Sequence, residues 1–225
     1  MIKIYFTISF LLIVCTNGKA QSSRGFVPAE VFPLQKGVSA RFNFTGLLDI
    51  LDQNISVGGE YKFSEHLSAG TDIAYIFESK YLSESKSSHG IILRPFIRYY
   101  PAKGRNGFLE GGFHYKHVSY RITDWIGKDV INGIPSYEQY TTFYFLKNVY
   151  ELNIKAGTAV NLDRNKKFRC EFYGGLGARF KTQGSHEGSY SRQRGSFFAL
   201  YNPGYSTISM PIGMRLVYYI KNKKS

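Results

Sequence analysis

Two cysteines in 225 residues, one tryptophan and seven prolines put several classes of protein out of reach. Two thiols exclude a disulfide scaffold and a four-cysteine zinc module. Acidic residues are scarce as well: 16 Asp and Glu stand against 29 Lys and Arg, a net charge of +13. Beyond the first twenty residues no apolar run reaches eighteen, so that part offers no membrane-crossing helix. Helical periodicity is nearly missing, which argues against a helical bundle or a coiled coil. What abounds instead is tyrosine and phenylalanine, 18 of each, together with 23 glycines. A chain of this length can bury a sizeable core as one domain. The basic balance therefore needs testing before it is taken as a nucleic-acid signal.

Residues 1–20 read as a secretory signal peptide. Lys3 precedes an apolar run from Ile4 to Val14, and Gly18, Lys19 and Ala20 supply the small-residue cleavage site. Its removal would leave Cys170 as the lone thiol and residues 21–36 as an N-terminal arm. An exported chain without an apolar helix can enter a membrane only as strands.

Residues 37–222 alternate with period two, the signature of strands whose successive side chains face opposite ways. In residues 168–181 one parity is Phe168, Cys170, Phe172, Gly174, Leu176, Ala178 and Phe180; the other is Arg169, Glu171, Tyr173, Gly175, Gly177, Arg179 and Lys181. Similar runs begin at Val38, Ile55, Leu67, Ile91, Leu109, Tyr150 and Ile208, making eight strands. Three connections are short (64–66, 101–106, 163–167), three are long (79–89, near 124–140, 184–204), and 49–54 is intermediate. Short turns at one end and longer loops at the other are the habit of transmembrane β-barrels. Aromatics gather near the strand ends, with Tyr61, Tyr99 and Tyr218 at one and Tyr75, Phe77 and Tyr115 at the other, as interfacial belts require. The expectation is an all-β fold, an eight-stranded antiparallel up-and-down transmembrane β-barrel, followed by a basic tail at 223–225.

Alternation leaves open which face is inside. A soluble secreted barrel of the lipocalin type turns its apolar parity inward. The opposite arrangement is favoured here, because the polar parity is rich in glycine and carries long side chains of both signs. Glu60, Asp72, Glu110, Glu151 and Glu171 can pair there with Lys62, Arg94, Arg98, Lys116, Lys155, Arg169, Arg179 and Arg215. Eight strands enclose only enough room for side chains, so these thirteen are expected to form a charge-paired network that plugs the interior.

Signal peptide, strand number and Gly/charge-lined interior resemble the small eight-stranded outer-membrane barrels of the OmpA/OmpX kind. Within residues 38–77, Ser56-Val57-Gly58-Gly59-Glu60-Tyr61-Lys62-Phe63 and Leu67-Ser68-Ala69-Gly70 are similar to uncharacterised outer-membrane barrel proteins of Bacteroidetes-like bacteria. The resemblance implies the cell outer membrane as location, with a structural or surface-interaction role. It also implies lipid and lipopolysaccharide as surroundings, the outer-membrane insertion machinery as an assembly partner, and room for an extracellular ligand or surface partner. Such chains commonly end on an aromatic residue, whereas here Tyr218-Tyr219-Ile220 is followed by Lys221-Asn222-Lys223-Lys224-Ser225.

No cofactor or metal site emerges. His114 and His117 lie three apart, on opposite faces of a strand, and His66, His89 and His186 fall in turns or loops. One enzymatic alternative remains: His117 and Ser119 share a strand face, similar to the His-x-Ser of outer-membrane lipid A deacylases, though Tyr120-Arg121 replaces the usual continuation. An acidic partner to orient the base is not identifiable. Loop 184–204 mixes Arg192 and Arg194 with Tyr190, Phe197, Phe198 and Tyr201, which fits an exported surface loop better than a nucleic-acid site.

Overall fold

The computed structural model describes residues 37–49, 51–82, 85–101, 106–132, 134–163, 167–185, 187–188 and 207–220. The signal peptide, the N-terminal arm, the basic tail and most of loop 184–204 lie outside them. The described chain is almost entirely strand: β1 Gly37–Asn43, β2 Asp52–Lys62, β3 Leu67–Ser79, β4 Ser85–Tyr99, β5 Gly107–Ile131, β6 Ile134–Asn161, β7 Phe168–Gly184, β8 Thr207–Ser209 and β9 Ile212–Ile220. A 3₁₀ turn, Phe44–Leu48, follows β1, with Asn43 Oδ1 accepting from Thr45 N at 3.2 Å.

All pairings are antiparallel, and the ladder closes on itself. The order β6-β5-β4-β3-β2-β1-β9-β7 is completed by a β6–β7 pairing. Register can be followed right round, from Tyr219 through Ser39, Glu60, Gly70, Phe96, Gly112, Asn153 and Gly177 to Ser209. The path returns to its own strand line ten residues from its start (219 − 209). That stagger makes the strands slope around the ring.

The nine strands form eight strand lines. β8 and β9 continue one another against β7, since Gly177–Ser209 and Gly174–Ile212 belong to the same register. The line breaks at Met210 and Pro211, where proline has no N–H to give the ladder. β1 is short, and only five of its residues pair with β9, Val38 to Phe42 against Ile220 to Leu216.

One expected loop is not a loop. The stretch near 124–140 continues β5 and β6, which pair up to Ile131 and Ile134. β4 leaves β5 at Ile122 and β7 leaves β6 at Leu146, so the remainder is a two-stranded arm projecting from the long-loop side. Asn132 stands at its tip with φ of +52°, the left-handed conformation that tight hairpin turns require. The sequence carries that signal as Asn132-Gly133, between two runs of high strand propensity.

Candidate functional site

The parity expected to be polar is the enclosed one. Arg98, Arg215, Glu110, Glu151 and Glu171 are among the most deeply buried side chains, while Ile154 is 70% exposed and Ile212 79%. Two strand faces with the usual soluble pattern would show the reverse. The inner side chains are therefore the place to look for chemistry.

Near the short-turn end four arginines and four carboxylates interlock. Glu110 Oε2 accepts from Arg98 Nη2 at 2.7 Å and from Arg215 Nη2 at 2.8 Å, and its Oε1 takes Lys155 Nζ at 3.0 Å. Glu171 accepts from Arg98 Nη1 at 3.0 Å and Arg215 Nε at 2.8 Å, with Arg169 Nε 3.2 Å away. Glu60 accepts from Ser68 Oγ at 2.6 Å and Tyr100 OH at 2.7 Å, and lies 3.1 Å from Arg98. Asp72 Oδ2 faces Arg41 Nη2 at 3.2 Å, and the Arg41 guanidinium lies over the Phe96 ring at 3.8 Å. Arg98 in turn lies 4.1 Å from the Phe108 ring centre. Lys62 caps this end, 4.0 Å above the Tyr100 ring. Every strand line of the ring contributes a member, so the cluster ties all eight together.

Toward the long-loop side a second, sparser set follows. Lys116 pairs with Asp52, whose other oxygen accepts from Ser79 Oγ at 2.5 Å; Ser79 Oγ is also 3.0 Å from Tyr120 OH. Glu151 is held by Arg179, Nη2 at 2.6 Å and Nε at 2.8 Å, and by Asn153 Nδ2 at 3.1 Å. Lys147 Nζ sits 3.0 Å from the Tyr81 ring centre. Burial first, and then the Asp52 charge, push the Tyr81 phenol upward. Arg94 donates to Ser56 Oγ at 3.3 Å and meets no carboxylate among the described residues. Beyond this tier the interior turns apolar, with Ile76, Ile92, Val118, Tyr120, Ile122, Ile126, Phe143 and Phe145 forming one buried cluster.

All thirteen charged residues read from the sequence face this interior. Twelve join polar, ionic or ring contacts with other members of the enclosed set, and Arg94 reaches only Ser56. The thirteen do not include Arg41, Asp52, Lys147 and Lys181, nor the neutral donors Ser68 and Tyr100 to Glu60 and Ser79 to Asp52. Arg41 shares the parity opposite to Val38, Ala40 and Phe42, a signal the sequence does offer; Asp52 falls in the connection expected at 49–54, and Lys147 precedes the run that begins at Tyr150.

The His117–Ser119 alternative finds little geometric help. His117 Nδ1 hydrogen-bonds Asn148 Oδ1 at 2.7 Å, and Tyr115 OH donates to that same oxygen at 3.2 Å. Ser119 is buried at its register position opposite Leu146, and its hydroxyl makes no hydrogen bond to His117. Among the described residues no group of three His, Cys, Asp or Glu could hold a metal ion. His66 lies in a turn, its Nδ1 2.9 Å from Tyr100 O; His89 belongs to β4, and His186 is outside the described residues.

On the outer face an open groove of about 810 Å³ is floored by Gly111, Gly112 and Gly177 and walled by Ile97, Phe113, Leu152, Ile154, Leu176 and Ile208. Compared with protein-family models, with curated proteins and with solved structures, the chain matches none.

Proposed function

We propose that the closed sheet is an eight-stranded antiparallel up-and-down β-barrel that crosses the cell outer membrane. In this reading its charged interior is a plug and its β5–β6 arm is displayed outside. The role is structural or surface-interacting, without catalysis. The observation that carries the reading is the inversion of faces: paired charges enclosed, aliphatic side chains outward. A lipocalin-type barrel would turn the same parities the other way.

Dimensions support it. A stagger of ten over eight strand lines, at ~3.3 Å per residue and ~4.8 Å between strands, gives a slope of ~40°. Leu67 to Phe77 is ten residue steps, so at that slope the outward band is ~25 Å tall, the height of a lipid-facing belt. Tyr61, Tyr99, Phe168 and Tyr218 are exposed at its short-turn edge, and Tyr75, Phe77, Tyr150 and Phe180 at the other. Rings at both edges with aliphatics between them are what two lipid–water interfaces favour.

Tyr137 on the arm is 52% exposed, while Cys170 is buried. A Tyr137→Cys variant treated on intact cells with a membrane-impermeant maleimide tests the reading. Labelling of a protein that fractionates with the outer membrane is expected. Recovery in the detergent-free soluble fraction would sink the barrel's membrane location, and labelling only after lysis would sink the orientation.

A further inference from the structure

Charge inside the ring does not balance. Among the described residues, and leaving Lys181 aside, ten basic side chains face inward against six carboxylates. The carboxylates are taken up: four by the arginine cluster and Lys155, Asp52 by Lys116, and Glu151 by Arg179. Of the cations left over, Lys62 and Lys147 each rest on a tyrosine ring, which spreads some of the charge. Arg94 has neither. Its cross-strand partner Asp72 turns to Arg41 instead, and among the described residues Ser56 Oγ is its single hydrogen-bond acceptor.

The ring next to Arg94 has the same deficit. Leu93–Tyr115 and Phe96–Gly112 set a register that puts His114 opposite Arg94. His114 Nε2 is buried and has no hydrogen-bonding partner among the described residues. Its register partner on β6 is Glu151, which Arg179 holds, and the largest charge effects on this imidazole come from Arg94, Lys116, Arg179 and Lys155, all positive. A half-buried guanidinium and a buried ring nitrogen stand where cations outnumber carboxylates. The two facing carboxylates, Asp72 and Glu151, are turned to Arg41 and Arg179, so the arrangement favours an anion over a cation. Leaving such a charge uncompensated in a low-dielectric interior is costly.

We propose that a small inorganic anion binds inside the ring between the Arg94 guanidinium and the His114 ring, with Lys116 and Arg179 as flanking cations. The anion accepts from Arg94 and from His114 Nε2–H and neutralises the excess charge of this tier. The site makes no use of what surrounds the outward face, so it stands apart from the membrane reading.

The whole chain, kept folded in detergent micelles and dialysed into gluconate buffer, is titrated at constant ionic strength with sodium chloride, bromide or phosphate. A saturable rise in unfolding temperature is expected for at least one of them, with apparent affinity at least tenfold weaker in both Arg94→Gln and His114→Gln. Broadening of the ⁸¹Br resonance by the wild-type protein, reversed by the anion that stabilises it and reduced in the same variants, places the ion at the site. Should Arg94→Gln not fold, Arg94→Lys keeps the charge while losing the forked donor, and the same weakening is expected. Absence of any anion response overturns the proposal. So does a response that survives in both variants, or one that disappears instead in the exposed-residue variant Arg121→Gln, since each means an adventitious ion only.

Discussion

Glu110 is the residue on which the interior turns, because four cations converge on one carboxylate. Arg98 and Arg215 share its Oε2, Lys155 takes its Oε1 and Arg41 stands at 3.5 Å. Exchanging a buried ion pair for apolar groups can be neutral, but removing one partner strands the other without solvent. Glu110→Gln is therefore expected to lower unfolding stability by roughly 3–5 kcal/mol, read from urea titration of the refolded protein. Glu78 pairs with Lys80 at 3.7 Å on the surface, both about half exposed. Glu78→Gln should change stability by less than ~1 kcal/mol. Equal effects at the two positions would mean that Glu110 is not enclosed. The sequence discloses these residues through parity alone: a charge alternating with aliphatic neighbours must share a face with other charges. It does not disclose which carboxylate meets which guanidinium. Arg98 and Glu171 are 73 positions apart, and only the ring closure and its stagger bring them to 3.0 Å.

Strand existence was legible for the same reason, and strand length was not. Alternation fades in the arm because neither of its faces runs along a buried core for its full length. Trp125, Tyr137, Tyr140 and Tyr144 are all exposed there, whereas Ile126 is buried. Local hairpin chemistry carries the arm instead, with Asn132 at the turn, a Trp125–Tyr140 edge contact at 5.6 Å and a Thr123–Thr142 hydroxyl pair at 2.8 Å. Cross-strand pairs of this sort contribute ~0.2–1 kcal/mol each, enough to support a hairpin anchored in a larger sheet. The arm should then be dispensable to the ring. Excising residues 128–137 and joining Gly127 to Glu138, a register pair, through Asn-Gly is expected to leave folding intact. Far-ultraviolet circular dichroism and the heat-dependent gel shift of the refolded protein would follow it. Loss of both signals would mean that the arm nucleates the sheet. The break in the last strand line had a clearer cue in Pro211, yet apolar parity runs through it from Ile208 to Met214, and the two halves look like one strand.

At the scale of the molecule, the inversion of faces makes a prediction that runs against ordinary surface behaviour. Placing a charge on an exposed position of a water-soluble protein is normally harmless, within ~0.5 kcal/mol. Ile154 is 70% exposed and forms part of the outward groove, near the middle of the aliphatic band. With lipid around that band, Ile154→Arg is expected to cost ~2–4 kcal/mol when the chain folds into phospholipid vesicles. Ile134 is equally open, at 72%, but lies at the tip of the arm, well beyond the band. Ile134→Arg should fall within ~0.5 kcal/mol of the parent. The comparison is made by equilibrium urea titration in vesicles, with tryptophan emission from the single Trp125 as the signal. The two substitutions share residue type and exposure, so their difference isolates the medium at each position. A small and equal effect at both sites would put the aliphatic face in water. The apolar parity would then need a protein partner, not a bilayer, to cover it.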